Sequence, residues 1–142
     1  MALHADGPAA DRAGNMGLYG WLVGSWDLDV TEIQDDGSTL RRPGEWHVGW
    51  VLEGRAIQDV WIVPPRGTRE HTDAAAHRNY YGTTLRVYDP RIDAWRIQWT
   101  DPVVQAVDRN FKTLFCHQRQ GNKYRAFLPY PRINFFACIL NK

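Results

Sequence analysis

From Trp26 onward apolar residues recur at every second position, and this period constrains the fold more than any other feature of the chain. Trp26, Leu28 and Val30 fall on one side of a strand, with Asp27, Asp29 and Thr31 on the other. "QDDGS" then supplies an Asp-Gly turn signal. The next strand is "GEWHVGWVL" (44–52); "LEGR" turns the chain, and "RAIQDVWIV" carries it back to Pro64-Pro65. "NYYGTTLRVYDP" (79–90), the turn "DPRIDA" and the strand "WRIQWTDP" repeat the pattern, and Pro102 marks a strand end or a sheet edge. A helical spacing occurs only at Leu18, Trp21 and Leu22, where Gly20 and Gly24 keep it short. Strands joined in sequence by short turns describe an all-β antiparallel meander. About eight such strands close into an up-and-down barrel with no free edges. Its interior has room for side chains or for one small ligand.

A two-residue loop at Glu53-Gly54 sets a register for the central hairpin. Leu52 then pairs with Arg55, Trp50 with Ile57, Val48 with Asp59 and Trp46 with Trp61. One face carries Trp46, Val48, Trp50, Ile57, Asp59 and Trp61; the other carries His47, Gly49, Val51, Ala56, Gln58 and Val60. A different loop length would shift every pair.

At 142 residues the chain is long enough for one domain with a real core. Residues 1–16, rich in Ala, Gly, Pro and Asp, read as a disordered lead, and 17–142 as a single barrel domain. A net charge of +1 offers no field for nucleic acid or an anionic membrane surface. No apolar run approaches the roughly 20 residues of a membrane span, and the N-terminus lacks the apolar stretch of a signal peptide. These features lead to the expectation of a cytoplasmic protein in which Cys116 and Cys138 are thiols. "PPRGTREHTDAAAHR" (64–78) is a long polar connection, read as a lid.

Composition changes after residue 108. All sixteen Asp and Glu lie before that point, whereas all five Phe, all three Lys and both Cys lie after it. Two readings fit: chance in a short window, or a tail of different origin such as a shifted reading frame or a fusion. "FKTLFCHQ", "KYRAFLPY" and "RINFFACIL" are nevertheless strand-like, so the tail can supply closing strands.

Gly24-Ser25-Trp26 resembles the G-x-W that opens the first strand of lipocalins and related calycin barrels. "WVLEGRAIQDVW" and "YGTTLRVYDPRIDAWRIQWTDP" are similar to a family of uncharacterised bacterial lipocalin-like proteins, over about Leu18 to Pro102. The resemblance implies a closed barrel with Trp26 plugging one end beneath a basic residue, for which Arg109, Arg125 and Arg132 are candidates. The tail does not match that family's final strands. Relatives that bind haem carry G-x-W-x-G-x-G, which this chain lacks, and no cofactor is expected.

The expected site is a cavity lined by Trp46, Trp50, Trp61, Trp95 and Trp99, with polar specificity from Arg55, Asp59, His47 and Tyr81. Five rings on two hairpins are hard to fit into a small solid core. Asp59, flanked by Trp, would feel desolvation and so becomes a candidate acid or base. Arg55 lies about 13 Å away along the strand, too far to pair with it. His47 faces the cavity or the surface. His71, His77 and His117 show no metal spacing. The leading expectation is a binder of a small hydrophobic or aromatic ligand. The alternatives are an isomerase or cyclase using Asp59 or His47, and a structural protein with a filled core, dimerising through a sheet face.

Overall fold

The computed structural model describes residues 3–34, 36–69, 79–102, 106–108, 118–120, 123–130 and 133–139, with side chains up to residue 102. A 3-10 turn (Ala10–Arg12) leads into α1 (Ala13–Gly20). The strands are β1 (Gly24–Ile33), β2 (Thr39–Val51), β3 (Ala56–Val63), β4 (Tyr80–Asp89), β5 (Ala94–Asp101), β6 (Ala106–Asp108), β7 (Gln118–Gln120), β8 (Lys123–Tyr130) and β9 (Ile133–Ile139). A second 3-10 turn (Arg66–Thr68) follows β3.

β1 to β5 form an antiparallel meander, as the period of two requires. The whole sheet runs β6-β5-β4-β3-β2-β1-β9-β8-β7. β9 lies antiparallel beside β1, with Leu28 opposite Ile139 and Ile33 opposite Asn134. The tail therefore supplies strands that continue the sheet from its first strand. The expected closed barrel of about eight strands is not what the described residues form. They form one open sheet of nine strands whose ends are β6 and β7, and no pairing joins those two short edges.

The register of the central hairpin follows the sequence reading: Trp50 pairs with Ile57, Val48 with Asp59 and Trp46 with Trp61. The ladder stops at Val51 and Ala56, one step short of the expected Leu52–Arg55 pair. Leu52, Glu53 and Gly54 all have positive φ (51°, 56° and 77°), so the reversal takes a wider turn. Parity is unchanged, and every side chain keeps its expected face.

Burial alternates along β1 and much of β2, and the inner face reads across the sheet in rows. One row is Trp26, Trp46, Trp61 and Gly82; the next is Val48, Asp59, Thr84 and Trp99; a third is Trp50, Ile57, Arg86 and Ile97. Trp26, Leu28, Val30, Trp46, Val48, Trp50, Ile57, Trp61 and Val63 form one buried cluster with Met16, Tyr19 and Leu22 of the N-terminal region.

The described residues before Gly17, expected as a lead, hydrogen-bond to the β2–β3 hairpin. Ala5 N–H donates to Trp50 C=O and Ala9 N–H to Gly54 C=O, each at 3.0 Å. A Cβ at Gly54 would stand 2.2 Å from Gly7 O, so glycine there permits the crossing. The helix also lies earlier than the Leu18–Leu22 spacing suggested. Its buried face is Met16 and Tyr19, while Leu18 is exposed. The reason is contact at Gly20, where an added Cβ would come within 2.9 Å of the Trp50 ring. That approach turns Tyr19 inward against Trp95, with ring centroids 4.8 Å apart.

Gly24 starts β1 with φ of 143°, a backbone conformation that strongly favours glycine. Trp26 Nε1–H donates to Leu22 C=O at 2.6 Å, and Trp21 meets the Trp26 ring edge-on at 6.4 Å. Arg109, Arg132 and the side chain of Arg125 lie outside the described residues, as do Cys116, His117 and the Cys138 side chain.

Candidate functional site

β3 and β4 place Asp59 and Thr84 opposite one another on the inner face. Asp59 is 1% exposed. Its Oδ1 accepts the Thr84 N–H at 3.0 Å, and its Oδ2 accepts from the Arg86 guanidinium. Arg86, two residues along β4 from Thr84, is 2% exposed. Its guanidinium stands 5.7 Å from the centroid of the Tyr19 ring, so α1 covers the ion pair from one side. Burial raises the Tyr19 hydroxyl pKa above its ordinary value, and nearby Arg86 opposes part of that rise. Lone charges at such depth are costly, and pairing with full hydrogen bonding is how proteins hold them there.

Indoles surround this pair. Trp46 and Trp61 meet edge-on at 6.1 Å in the row beside Asp59, and Trp50 lies in the row beyond. Trp99 faces Thr84 across the β4–β5 ladder. Its ring lies over Gly82, where an added Cβ would be 2.2 Å from Cζ2 and 2.9 Å from Cε2. Trp95 is half-buried at the helix end, between Tyr19 and Tyr88. Asn15 Nδ2–H donates to the Tyr88 hydroxyl at 3.0 Å, and that hydroxyl donates to Asp93 at 2.5 Å.

The sequence-selected residues therefore divide. Trp46, Trp50, Asp59, Trp61, Trp95 and Trp99 share the inner face. Arg55 lies in the β2–β3 turn, where its guanidinium meets Asp11 at 3.4 Å and Glu53 at 3.3 Å. Tyr81 is exposed on the outer face, with the Arg69 guanidinium 5.0 Å from its ring centroid.

His47 also faces outward. Its Nδ1 lies 3.0 Å from Ser25 Oγ and its Nε2 lies 2.8 Å from Glu45 Oε2. Glu45 accepts from Arg66 three times: from the backbone N–H at 2.8 Å and from Nε and an Nη, each at 2.9 Å. Those hydrogen bonds hold the Glu45 carboxyl down at about 2. The cluster ties the start of the 64–78 connection to β2. Arg69 draws the ends of that connection together by donating to Pro64 C=O at 3.2 Å and Tyr80 C=O at 2.8 Å. The rest of the expected lid, residues 70–78 with His71 and His77, lies outside the described residues.

Arg86 was missed as a site residue, although parity pointed to it. Once Asp59 faces inward, the neighbouring strand offers Thr84 and Arg86 on one face. A second inward ion pair was missed for the same reason. Glu32 continues the parity of Trp26, Leu28 and Val30, and its carboxylate meets Arg42 Nε at 3.0 Å. Burial pushes the Glu32 carboxyl up, against the opposing effects of Arg42 and Gln34. Arg42 also stacks over Tyr80 at 5.0 Å.

Compared with known proteins, the chain matches no family model and no curated sequence. Among the described residues, no helix is long and apolar enough to cross a membrane.

Proposed function

We propose that the sheet rolls into a lipocalin-like cylinder, with β6 closing against β7, that binds one small apolar or aromatic molecule among its indoles. The observation that carries this reading is the buried Asp59–Arg86 pair set among Trp46, Trp50, Trp61 and Trp99. Replacing a buried ion pair with well-packed apolar residues commonly leaves a protein as stable or more so. Stability alone is thus a weak reason to keep these charges in the middle of an aromatic face. A fixed dipole surrounded by rings suits a ligand that is mostly apolar and needs orienting.

Strand order supports closure. The last strand lies beside the first, so only the β6–β7 edge separates this sheet from a complete cylinder. α1 packs Met16 and Tyr19 against the helix end of the inner face. Asp59 uses both carboxylate oxygens in holding Thr84 and Arg86, and His47 lies on the outer face. That arrangement favours binding over proton transfer by either residue.

Native mass spectrometry of freshly purified protein tests the reading. A retained mass of a few hundred daltons on the folded monomer is expected. Saturable quenching of indole emission by a hydrophobic probe such as 2-acetylnaphthalene is the companion measurement. A protein that retains nothing and responds to no probe would overturn the reading and leave a filled core.

A further inference from the structure

We infer that the bound molecule is not an anion and carries a carbonyl or ether oxygen, which accepts a hydrogen bond from Trp99 Nε1. This inference rests on the binding reading above and specifies its ligand class. Trp99 is 8% exposed, and its Nε1 is buried with no hydrogen-bond partner among the described residues. Two other indoles show the usual solution. Trp26 donates to Leu22 C=O at 2.6 Å and Trp21 to Leu18 C=O at 3.0 Å. A buried donor left without an acceptor is costly, and native proteins rarely tolerate one unless something else supplies the acceptor.

The position of the ring shows where that acceptor belongs. Gly82 is the residue over which Trp99 lies, and any side chain there would displace the indole. The edge closest to Gly82 runs from Cη2 through Cζ2 to Cε2, and Nε1 is bonded to Cε2. The six-membered ring of the indole thus leans across β4, whose Gly82 pairs with Trp61 and lies in the row of Trp26, Trp46 and Trp61. An aromatic body stacked in that row would bring an attached oxygen to the indole N–H.

The charge state of the ligand follows from the groups around it. Asp59 and Arg86 neutralise each other, and Asp101, 1% exposed and two residues from Trp99 on the same face of β5, buries a further carboxylate that an anion would have to approach. A ligand carboxylate would enter beside these acids without a counter-ion and lose its hydration. A neutral acceptor needs only a neutral donor, and Trp99 is one.

Two probes of matched shape provide the test: 2-acetylnaphthalene, with a carbonyl, and 2-isopropylnaphthalene, without one. Equilibrium dialysis against the full chain should show the carbonyl probe binding about tenfold more tightly. In Trp99→Phe the ratio should fall close to one. Should that variant fail to fold, indole N–H resonances of nitrogen-15-labelled wild-type protein decide the matter. One should move downfield with the carbonyl probe and stay in place with the hydrocarbon. Equal binding of the two probes by the wild type would overturn the inference while leaving the binding reading intact. So would a preference that survives Trp99→Phe, or indole resonances that respond alike to both probes. Failure of both probes to bind would instead overturn the binding reading, and this inference with it.

Discussion

Two clusters of charge sit on opposite faces of the same sheet and teach different lessons. On the inner face Asp59 and Arg86 pair at 1% and 2% exposure, under α1 and among indoles. On the outer face Glu45 joins Arg66 and His47, with the Arg66 side chain 64% exposed. The hydrogen bonds are similar in kind. Solvent makes the difference, because attraction and desolvation are both large inside and both small outside. The outer cluster fastens a loop to a strand. The inner one is expensive to break from one side, and removal of both partners together should cost far less.

Breaking the inner pair from one side should have the largest effect. Arg86→Met leaves the Asp59 carboxylate buried with only the Thr84 N–H as a partner. Urea denaturation should show a loss of about 3–5 kcal/mol. The double variant Asp59→Leu/Arg86→Met removes both charges and should recover most of that loss. If the double variant then binds probes more weakly while melting like the wild type, the pair orients ligand. A double variant as unstable as the single would show that the pair is needed to hold the sheet together.

The next effect concerns Trp99. Gly82→Val places atoms where Cζ2 now lies and must expel the ring. Overpacking of this kind costs about 1–3 kcal/mol, and the displaced indole should emit further to the red. A variant with unchanged emission would mean that β4 shifts instead of Trp99.

The same contrast explains how much of the molecule was legible in the sequence. The alternation of Trp46, Val48 and Trp50 against Ile57, Asp59 and Trp61 fixed the hairpin register, because a parity error would have buried His47 and exposed three Trp. Parity also carried Arg86, Glu32 and Arg42 inward, but charge at those positions read as surface and masked the signal. The role of Asp89 was hidden differently. It accepts the Arg91 N–H at 3.1 Å and holds both the Arg91 and Arg96 side chains at 2.9–3.1 Å. Those bonds hold its carboxyl well below the ordinary range and build the turn that was visible only as Asp-Pro. Contacts between distant segments, such as Gly20 on Trp50 or Gly7 over Gly54, have no local signature at all.

A smaller effect tests the start of β1, where the inner face begins. Gly24→Ala forces an L residue toward φ of 143°, with a cost of about 1–2 kcal/mol in thermal or urea unfolding. Gly49→Ala is the control, since an added Cβ there meets only His4 Nδ1 at 3.8 Å. Equal losses in the two variants would remove the special role of the Gly24 backbone before Trp26.

The outer cluster should give the smallest effect, and its signature is pH. The Glu45 carboxyl lies at about 2 in the folded chain, chiefly through its hydrogen bonds from Arg66, against an ordinary value near 4.5. A carboxyl depressed on folding contributes stability that is fully present above its unfolded pKa. That contribution fades as pH falls from about 4.5 to about 2. Glu45→Gln should therefore melt slightly below the wild type at pH 7, and the difference should shrink through that window. Proteolytic nicking at Arg66 or Arg69 should rise in Glu45→Gln, because the loop loses its anchor on β2. Inner-face variants should leave nicking at those sites unchanged as long as they remain folded. A Glu45→Gln gap that stayed constant down to pH 2 would place the cluster's contribution in packing of the side chains, with its ion pair contributing nothing.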